Sequence, residues 1–274
     1  QTGDIVETCR HRVKFAPGFP SSTSKTILRP VHNVSLTGNH QYDIGVPTAH
    51  FLPDTGNWLL LYKAASAPSG AGNLSKPCPS NVFGGIFSPN SDQVLFLDPQ
   101  AGPTDNATGV SEFVRSSLGP TLARDGLHDP RLTWIPSLNM GLMLANAFNK
   151  VEEQASMNEA AGDISKPIRG AVTELFAVRG DPAKAENYIS LGQFGPDFHF
   201  KNMVFFPETI SIEGEEHLLV LGRKMPGIQA FPIPMKAIQG SFSLSSDERS
   251  RFWEDLLSPA NIKKYEVMKP ELLH

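Results

Sequence analysis

The chain has 274 residues, of which 40% are hydrophobic and 19% charged, a balance typical of an ordinary soluble globular protein. Its formal net charge of -4 and its pI near 6.1 argue against a nucleic-acid-binding surface. No apolar run approaches the roughly 20 residues that a membrane-spanning helix needs. The 23 glycines and 23 prolines are scattered along the chain, which favours many short strands joined by turns.

Several features of the N-terminal part indicate a secreted or extracellular glycoprotein. The chain does not begin with methionine, so we expect it to be processed, and it carries sequons at Asn33, Asn73 and Asn106. Such tripeptides are N-glycosylation acceptors in secreted proteins. In an oxidising compartment Cys9 and Cys78 would form one disulfide. Two unpaired thiols are the alternative, between which the sequence does not choose.

In chain order, an irregular and polar segment at 1–30 is followed by repeated hairpins. Pairs of apolar runs around tight turns predict hairpins near 46–64, 131–147 and 203–223. Further strands are predicted at 82–88, 94–97 and 171–178. Similar hairpins that recur along a chain suggest a β-propeller. We therefore predict an all-β fold, with a single propeller domain over 1–274.

Three segments between and after the hairpins have a different character. Residues 65–81 are rich in Ala, Ser, Pro and Gly and are predicted to form a surface loop, and 149–168 is predicted to be a polar excursion. Near the C-terminus, Ser245 and Glu248 have the spacing of a helical capping box, and Pro259 interrupts the helical pattern that begins there.

The segment around Asp129, Pro130 and Arg131 is the main candidate for a functional site. Pro130 fixes its own φ and biases Asp129 toward an extended conformation. Because strand side chains repeat every two residues, Asp129 and Arg131 would share one face. A carboxylate and a guanidinium held together at the end of a strand suit acid chemistry on a sugar or anion binding. A structural ion pair under a loop is the alternative.

Five motifs, taken in order over roughly residues 40–255, resemble those of glycoside hydrolase family 130. That family consists of five-bladed β-propellers that act as β-mannoside phosphorylases and β-1,2-mannosidases. The matching segments are Leu60-Leu61-Tyr62-Lys63, Gly126-Leu127-His128-Asp129-Pro130-Arg131, Lys201-Asn202 with Phe206-Pro207-Glu208, Leu221-Gly222-Arg223, and Ser245-Ser246-Asp247 with Trp253. The resemblance implies a five-bladed propeller for this chain.

The chain departs from the family pattern at three points. His128 stands where the family has Glu before the catalytic Asp, and Lys63 stands where the family has Arg. Family members also continue to a last blade with a Tyr-His-Gly motif, for which this chain offers no match. We therefore expect a fragment, an altered fold, or a ring closed by another segment or by self-association.

The resemblance implies a set of site residues. The family's general acid corresponds to Asp129. The resemblance implies that this acid is unusual, because it delivers its proton through a sugar hydroxyl. An inverting hydrolase needs a second carboxylate to activate water, and Glu208 is the candidate, with a sugar-hydroxyl ligand or a strand-end charge as the alternative. Substrate or phosphate binding is implied for Asp43, Lys63, Arg131, His199, Lys201, Asn202 and Arg223. For the cationic members, solvated charges or salt bridges are the alternative.

We therefore predict a carbohydrate-active enzyme that cleaves β-mannosidic bonds with inversion, with hydrolysis favoured because the phosphate-site pattern is damaged. A phosphate-dependent β-mannoside phosphorylase and a non-catalytic sugar-binding or structural propeller are the alternatives. The expected partner is a mannose-containing oligosaccharide or glycan, and neither a nucleic acid nor a membrane is expected. No metal or cofactor is implied, except inorganic phosphate as cosubstrate if the protein is a phosphorylase.

Overall fold

The structure is a computed structural model that describes residues 35–36, 40–66, 80–89, 94–98, 100, 102–104, 112–161, 169–195, 201–224, 227–258 and 261. Several predicted features lie outside these residues: Cys9 and Cys78, the sequons at Asn33, Asn73 and Asn106, His199, and the segment 1–30. The disulfide, the glycosylation sites and the role of His199 therefore stay predictions.

Strands dominate the described residues and form three antiparallel sheets. The first sheet contains β1 (Ser35–Leu36), β2 (His40–Leu52), β3 (Asn57–Ser66), β4 (Ser80–Phe87), β5 (Val94–Asp98) and β6 (Gly102–Thr104). The second contains β7 (Leu127–Ile135), β8 (Met140–Phe148), β9 (Ala171–Val178) and β10 (Tyr188–Gln193). The third contains β11 (Lys201–Ile212), β12 (Glu215–Lys224) and β13 (Gly227–Pro234). Each sheet is a meander, which confirms the all-β class; the five-bladed propeller and the single domain stay predictions.

The three predicted hairpins are confirmed, and their tight turns explain their registers. Leu52 pairs with Asn57, Ile135 with Met140, and Ile212 with Glu215. The connections contain residues with positive φ, namely Gly56, Asn139, Glu213 and Gly214. Glycine and asparagine adopt this left-handed backbone at low cost, so the sequence favours a reversal at these places.

The described residues also form α1 (Pro120–Ala123), α2 (Lys150–Ala160), α3 (Met235–Ser241) and α4 (Ser246–Leu256). The capping box predicted at the start of α4 is confirmed, because Ser245 and Glu248 satisfy each other's backbone N–H groups. α2 corrects the expectation for 149–168. It begins where the Asn149 side chain accepts a hydrogen bond from the Glu152 N–H at 3.3 Å. None of the helices described is long and apolar enough to cross a membrane.

Two hydrophobic cores lie on opposite faces of the second sheet in the described part of the chain. The first joins it to the first sheet and contains fully buried Leu59, Leu61 and Leu127. The second joins it to the third sheet and to the C-terminal helices, where Trp253 is completely buried. Because each fully buried large apolar side chain contributes about 1.5–3 kcal/mol, these two cores hold the three sheets together.

Candidate functional site

The strands β2, β7 and β11 each carry a β-bulge, which lies close to the first residues of β7 and β11 and in the middle of β2. In β7, Asp129 and Pro130 lie opposite the single residue Ala145 of β8. The corresponding sets are Val46 and Pro47 opposite Tyr62 in the first sheet, and Asn202 and Met203 opposite Gly222 in the third. Bulges re-aim side chains and often lie beside active sites. The same irregularity in three sheets therefore marks the bulges as the candidate site.

The bulges of β7 and β11 lie at the same level, because hydrogen bonds join these two sheets both near the bulges and further along the strands, and β7 also contacts β2. Near the bulges, Asn146 of β8 is hydrogen-bonded to Asn202 of β11. Further along, the Thr133 hydroxyl donates to the Phe205 carbonyl at 2.9 Å. On the other side of β7, the rings of His50 and Trp134 lie near the far ends of β2 and β7, 6.2 Å apart.

Asp129 and Asn202 both have left-handed backbones, with φ of 53° and 57°. Asp and Asn tolerate this region better than most residues, although non-glycine residues there cost of order 1–3 kcal/mol and cluster at functional sites. The expectation of an extended Asp129 was therefore wrong. Pro130 restricts Asp129 locally, but the two-against-one pairing of the bulge determines its backbone.

A buried amide joins these two residues. The Asn146 Nδ2 group donates to Asn202 Oδ1 at 2.8 Å and to Asp129 Oδ2 at 3.3 Å. Asn146 Oδ1 accepts from the Asn202 N–H at 3.4 Å and from the Thr173 hydroxyl at 3.5 Å. Asn146 is 2% exposed, whereas Asp129 is half-buried. We call these four residues, Asn146, Asp129, Asn202 and Thr173, the Asn146 cluster.

Asn146 was missed by the sequence reasoning, yet it holds the same register position as two predicted site residues. Lys63, Asn146 and Arg223 each pair with the residue that precedes a bulge; these partners are Gly45, His128 and Lys201. Lys63 is buried, at 7% exposure, on the face of β3 that packs against the second sheet. Alignment of the three hairpins by their bulges would have found Asn146.

The predicted pairing of Asp129 with Arg131 is wrong. Arg131 Nη1 instead donates to the Pro130 carbonyl oxygen at 3.0 Å, and no ion pair joins Arg131 to Asp129 among the described residues. The reason is the bulge between His128 and Arg131, which interrupts the two-residue alternation on which the shared face depended.

The other predicted residues lie at different levels along the strands. Lys201 pairs with Arg223 beside the bulge of β11, and Asp43 lies on β2 just before its bulge. Glu208 is exposed and lies at a second irregularity of β11, after Phe205. Because of the two irregularities, Asn202 lies opposite Gly222 and Glu208 opposite Leu219, so the two residues are about 10 Å apart along the strand at about 3.3 Å per residue of β12. In the described part of the chain, no hydrogen bond joins Glu208 to the Asn146 cluster.

Trp253 and Trp58 lie away from Asp129, and the neighbouring His128 is buried. Trp253 belongs to the second core, whereas Trp58 contacts Phe51 at the hairpin end of β2 and β3. His128, which replaces the family's Glu, is buried with its ring centroid 4.5 Å from that of Phe148. Burial also raises the pKa of the Tyr62 hydroxyl, opposite the bulge of β2, far above its usual value, so this hydroxyl stays protonated.

A second buried carboxylate, which the sequence reasoning did not single out, lies on β9. Glu174 is 0% exposed and accepts hydrogen bonds from the Ser116 and Ser190 hydroxyls, each at 2.6 Å. It also accepts from the backbone N–H of Ser117 at 3.0 Å and from the Ser117 hydroxyl at 2.8 Å. We call these residues the Glu174 cluster. Within the described ranges, no group of three or more His, Cys, Asp or Glu residues is placed to bind a metal ion.

Compared with known proteins, the chain matches no protein-family model, and no curated protein is similar to it at a significant level. The resemblance to glycoside hydrolase family 130 therefore rests on the five motifs and stays a prediction.

Proposed function

We propose that this protein cleaves β-mannosidic bonds with inversion and that Asp129 is its general acid. One observation carries the proposal: Asp129 lies in a strained bulge, within hydrogen-bond reach of a buried amide that also binds Asn202 in the bulge of β11. Strained, partly exposed carboxylates of this kind are typical of functional sites. The meander sheets and their equivalent bulges also support the propeller that the resemblance implies.

In this proposal Asp129 gives its proton, through a sugar hydroxyl, to the oxygen of the glycosidic bond. The bond between that oxygen and the anomeric carbon breaks while a nucleophile attacks the opposite face of the sugar. Water as nucleophile would lose its proton to a base and give a free sugar. Phosphate as nucleophile would give a sugar 1-phosphate.

A specific observation favours phosphate as a second candidate nucleophile. Among the described residues, the predicted base, Glu208, makes no hydrogen bond to the Asn146 cluster, and it lies about 10 Å along the strand from the level of Asn202. Lys63, Lys201 and Arg223, in contrast, occupy positions next to the bulges. Lysine and arginine are residue types that bind phosphate, and phosphate attacks the sugar without a base.

The test is product analysis on a panel of unactivated β-mannosides, with and without phosphate, for wild type and Asp129→Asn. We expect turnover to fall by roughly 10²–10⁴-fold in Asp129→Asn while sugar affinity is retained, because the amide keeps the shape and cannot supply the acid proton. Asp54→Asn, in the exposed turn after β2, is the matched control and should keep wild-type turnover.

The products separate the candidate functions. Free mannose, first released as the α-anomer, indicates hydrolysis, and a phosphate-dependent α-mannose 1-phosphate indicates phosphorolysis. Equal turnover in wild type and Asp129→Asn would exclude Asp129 as the acid. Sugar binding without turnover in either protein would identify a non-catalytic sugar-binding protein.

A further inference from the structure

We propose that Asn146 is the positioning residue of this site, which orients the Asp129 carboxyl group and couples it to Asn202. The inference rests on the proposed function and extends it to a residue that lies outside the motifs of the family resemblance. Asn146 lies on β8, whereas its partners lie on β7, β9 and β11, so one side chain connects four strands of two sheets.

The hydrogen-bond network determines which way the Asn146 amide points. Its Nδ2 group faces two acceptors, Asp129 Oδ2 and Asn202 Oδ1. Its Oδ1 atom faces two donors, the Asn202 N–H and the Thr173 hydroxyl. Rotation of the amide by 180° would place acceptors against acceptors and donors against donors. Asn146 is therefore held in one orientation, and with it the donor that meets Asp129.

This orientation has a consequence for the proton of the general acid. When Asp129 is protonated, its Oδ2 atom accepts from Asn146, so the proton is carried by Oδ1. Oδ1 is then the atom that donates to the sugar hydroxyl. The second bond of the same Nδ2 group holds Asn202, which is also left-handed and is an implied sugar or phosphate ligand. Asn146 thus fixes the acid relative to the substrate-binding residue.

Asn146→Asp is the sharpest variant, because it keeps the shape and replaces the donating Nδ2 group by an oxygen that faces two acceptors. A second carboxyl group next to Asp129 makes ionisation of the pair harder. We expect the Asp129 carboxyl carbon, followed by ¹³C NMR, to titrate at higher pH than in wild type. The titrating signal of Asp129 is identified by its absence from the spectrum of Asp129→Asn. Besides Asp129, the charged or titratable residues on β2, β3, β7, β11 and β12 are His40, Tyr42, Asp43, His50, Tyr62, Lys63, His128, Arg131, Lys201, Glu208, Glu215, Glu216, His217, Arg223 and Lys224.

Asn146→Asp should lower kcat roughly 10–100-fold and change KM less than about 3-fold. The expected loss in kcat is that caused by removal of one hydrogen bond to a charged group. The acid must be protonated, so activity declines as the pH rises past its titration, and this alkaline decline should move to higher pH in Asn146→Asp. Ser156→Ala removes a buried hydroxyl on α2 and is the control for destabilisation alone; its pH profile should match wild type.

If Asn146→Asp does not fold, Asn146→Ser takes its place, because its shorter side chain lacks the Nδ2 donor. The Asp129 carboxyl carbon should titrate at higher pH in this variant too. An Asp129 titration identical to wild type in the folded Asn146 variant would overturn the inference. Absence of mannoside turnover in wild type would overturn the proposed function, whereas the NMR titration would still decide whether Asn146 controls Asp129.

Discussion

The second sheet carries two buried polar clusters, which lie at the same level on its opposite faces. Thr173 of the Asn146 cluster and Glu174 of the Glu174 cluster are neighbours on β9, so their side chains point to opposite faces. Each cluster contains one carboxyl group among uncharged polar partners. Their geometries differ, however, and the difference separates a structural cluster from a candidate active site.

The Glu174 cluster is closed. Its carboxylate is fully buried and accepts hydrogen bonds of 2.6–3.0 Å from Ser116, Ser117 and Ser190, which join the segment before α1 to β9 and β10. The Asn146 cluster is open. Asp129 is half-buried, accepts one hydrogen bond of 3.3 Å, and has a left-handed backbone. A buried carboxylate with all its partners stabilises the fold, whereas a strained one with few partners is available to a ligand.

The largest effect on stability should come from the closed cluster. Glu174→Gln keeps the side chain's shape but gives it a donor that meets the hydroxyl donors around it. We expect the free energy of unfolding to fall by about 1–3 kcal/mol, the cost of leaving buried groups unsatisfied. Denaturant unfolding measures this, with the exposed Glu208→Gln as a control that should stay within about 0.5 kcal/mol of wild type.

The turnover of Glu174→Gln tests whether the Glu174 cluster is separate from the site at Asp129. Because Glu174 faces away from Asp129, Glu174→Gln should keep wild-type kcat below its unfolding transition. Loss of turnover without loss of stability would contradict the structural assignment of this carboxylate.

The elements whose signals are local were predictable from the sequence. The hairpin turn at Asn139 depends on a residue that tolerates positive φ, and the capping box at Ser245 depends on two residues three apart. α2 was missed because its charged and polar residues give little helical periodicity beyond the Asn149 cap. β10 and β13 were missed because Gly192 and the prolines at 232 and 234 interrupt their patterns.

The candidate site could be predicted only in part, because its geometry depends on pairing between strands. Asp129 stood out by its motif, but its conformation follows from the bulge opposite Ala145, which no local rule reveals. Asn146 lies in an apolar run and resembles a core position until the register places it beside the bulge. Glu208 matched a motif by sequence, but its level on the strand depends on the two irregularities in the pairing of β11 with β12.

Removal of one hydroxyl from each cluster should sharpen the comparison with a smaller effect. Ser190 donates to Glu174 at 2.6 Å and accepts from the Gly192 N–H at 3.1 Å, so Ser190→Ala should cost about 1 kcal/mol of unfolding free energy. Thr173 reaches Asn146 only at 3.5 Å, the limit of a hydrogen bond, so the isosteric Thr173→Val should cost less than about 0.5 kcal/mol. Equal costs in parallel unfolding curves would contradict the distinction between a closed and an open cluster.

The smallest effect should come from a group that belongs to neither cluster but lies on the Glu174 side of the second sheet. His50 lies beside Trp134, where the first sheet packs against β7, and burial lowers the pKa of its imidazole below the usual 6.5. The unfolded chain therefore binds the proton more readily. The stabilisation from neutral His50 is present above pH 6.5 and is lost as the pH falls through the lower pKa of the folded state.

His50→Gln should have a flatter dependence of unfolding free energy on pH below 6.5, measured by denaturant unfolding at a series of pH values. Parallel curves for the two proteins would show that protonation of His50 does not disturb this packing. The Asn146 cluster lies on the opposite face of the second sheet from His50. We therefore expect the turnover of His50→Gln to equal that of wild type over the same pH range.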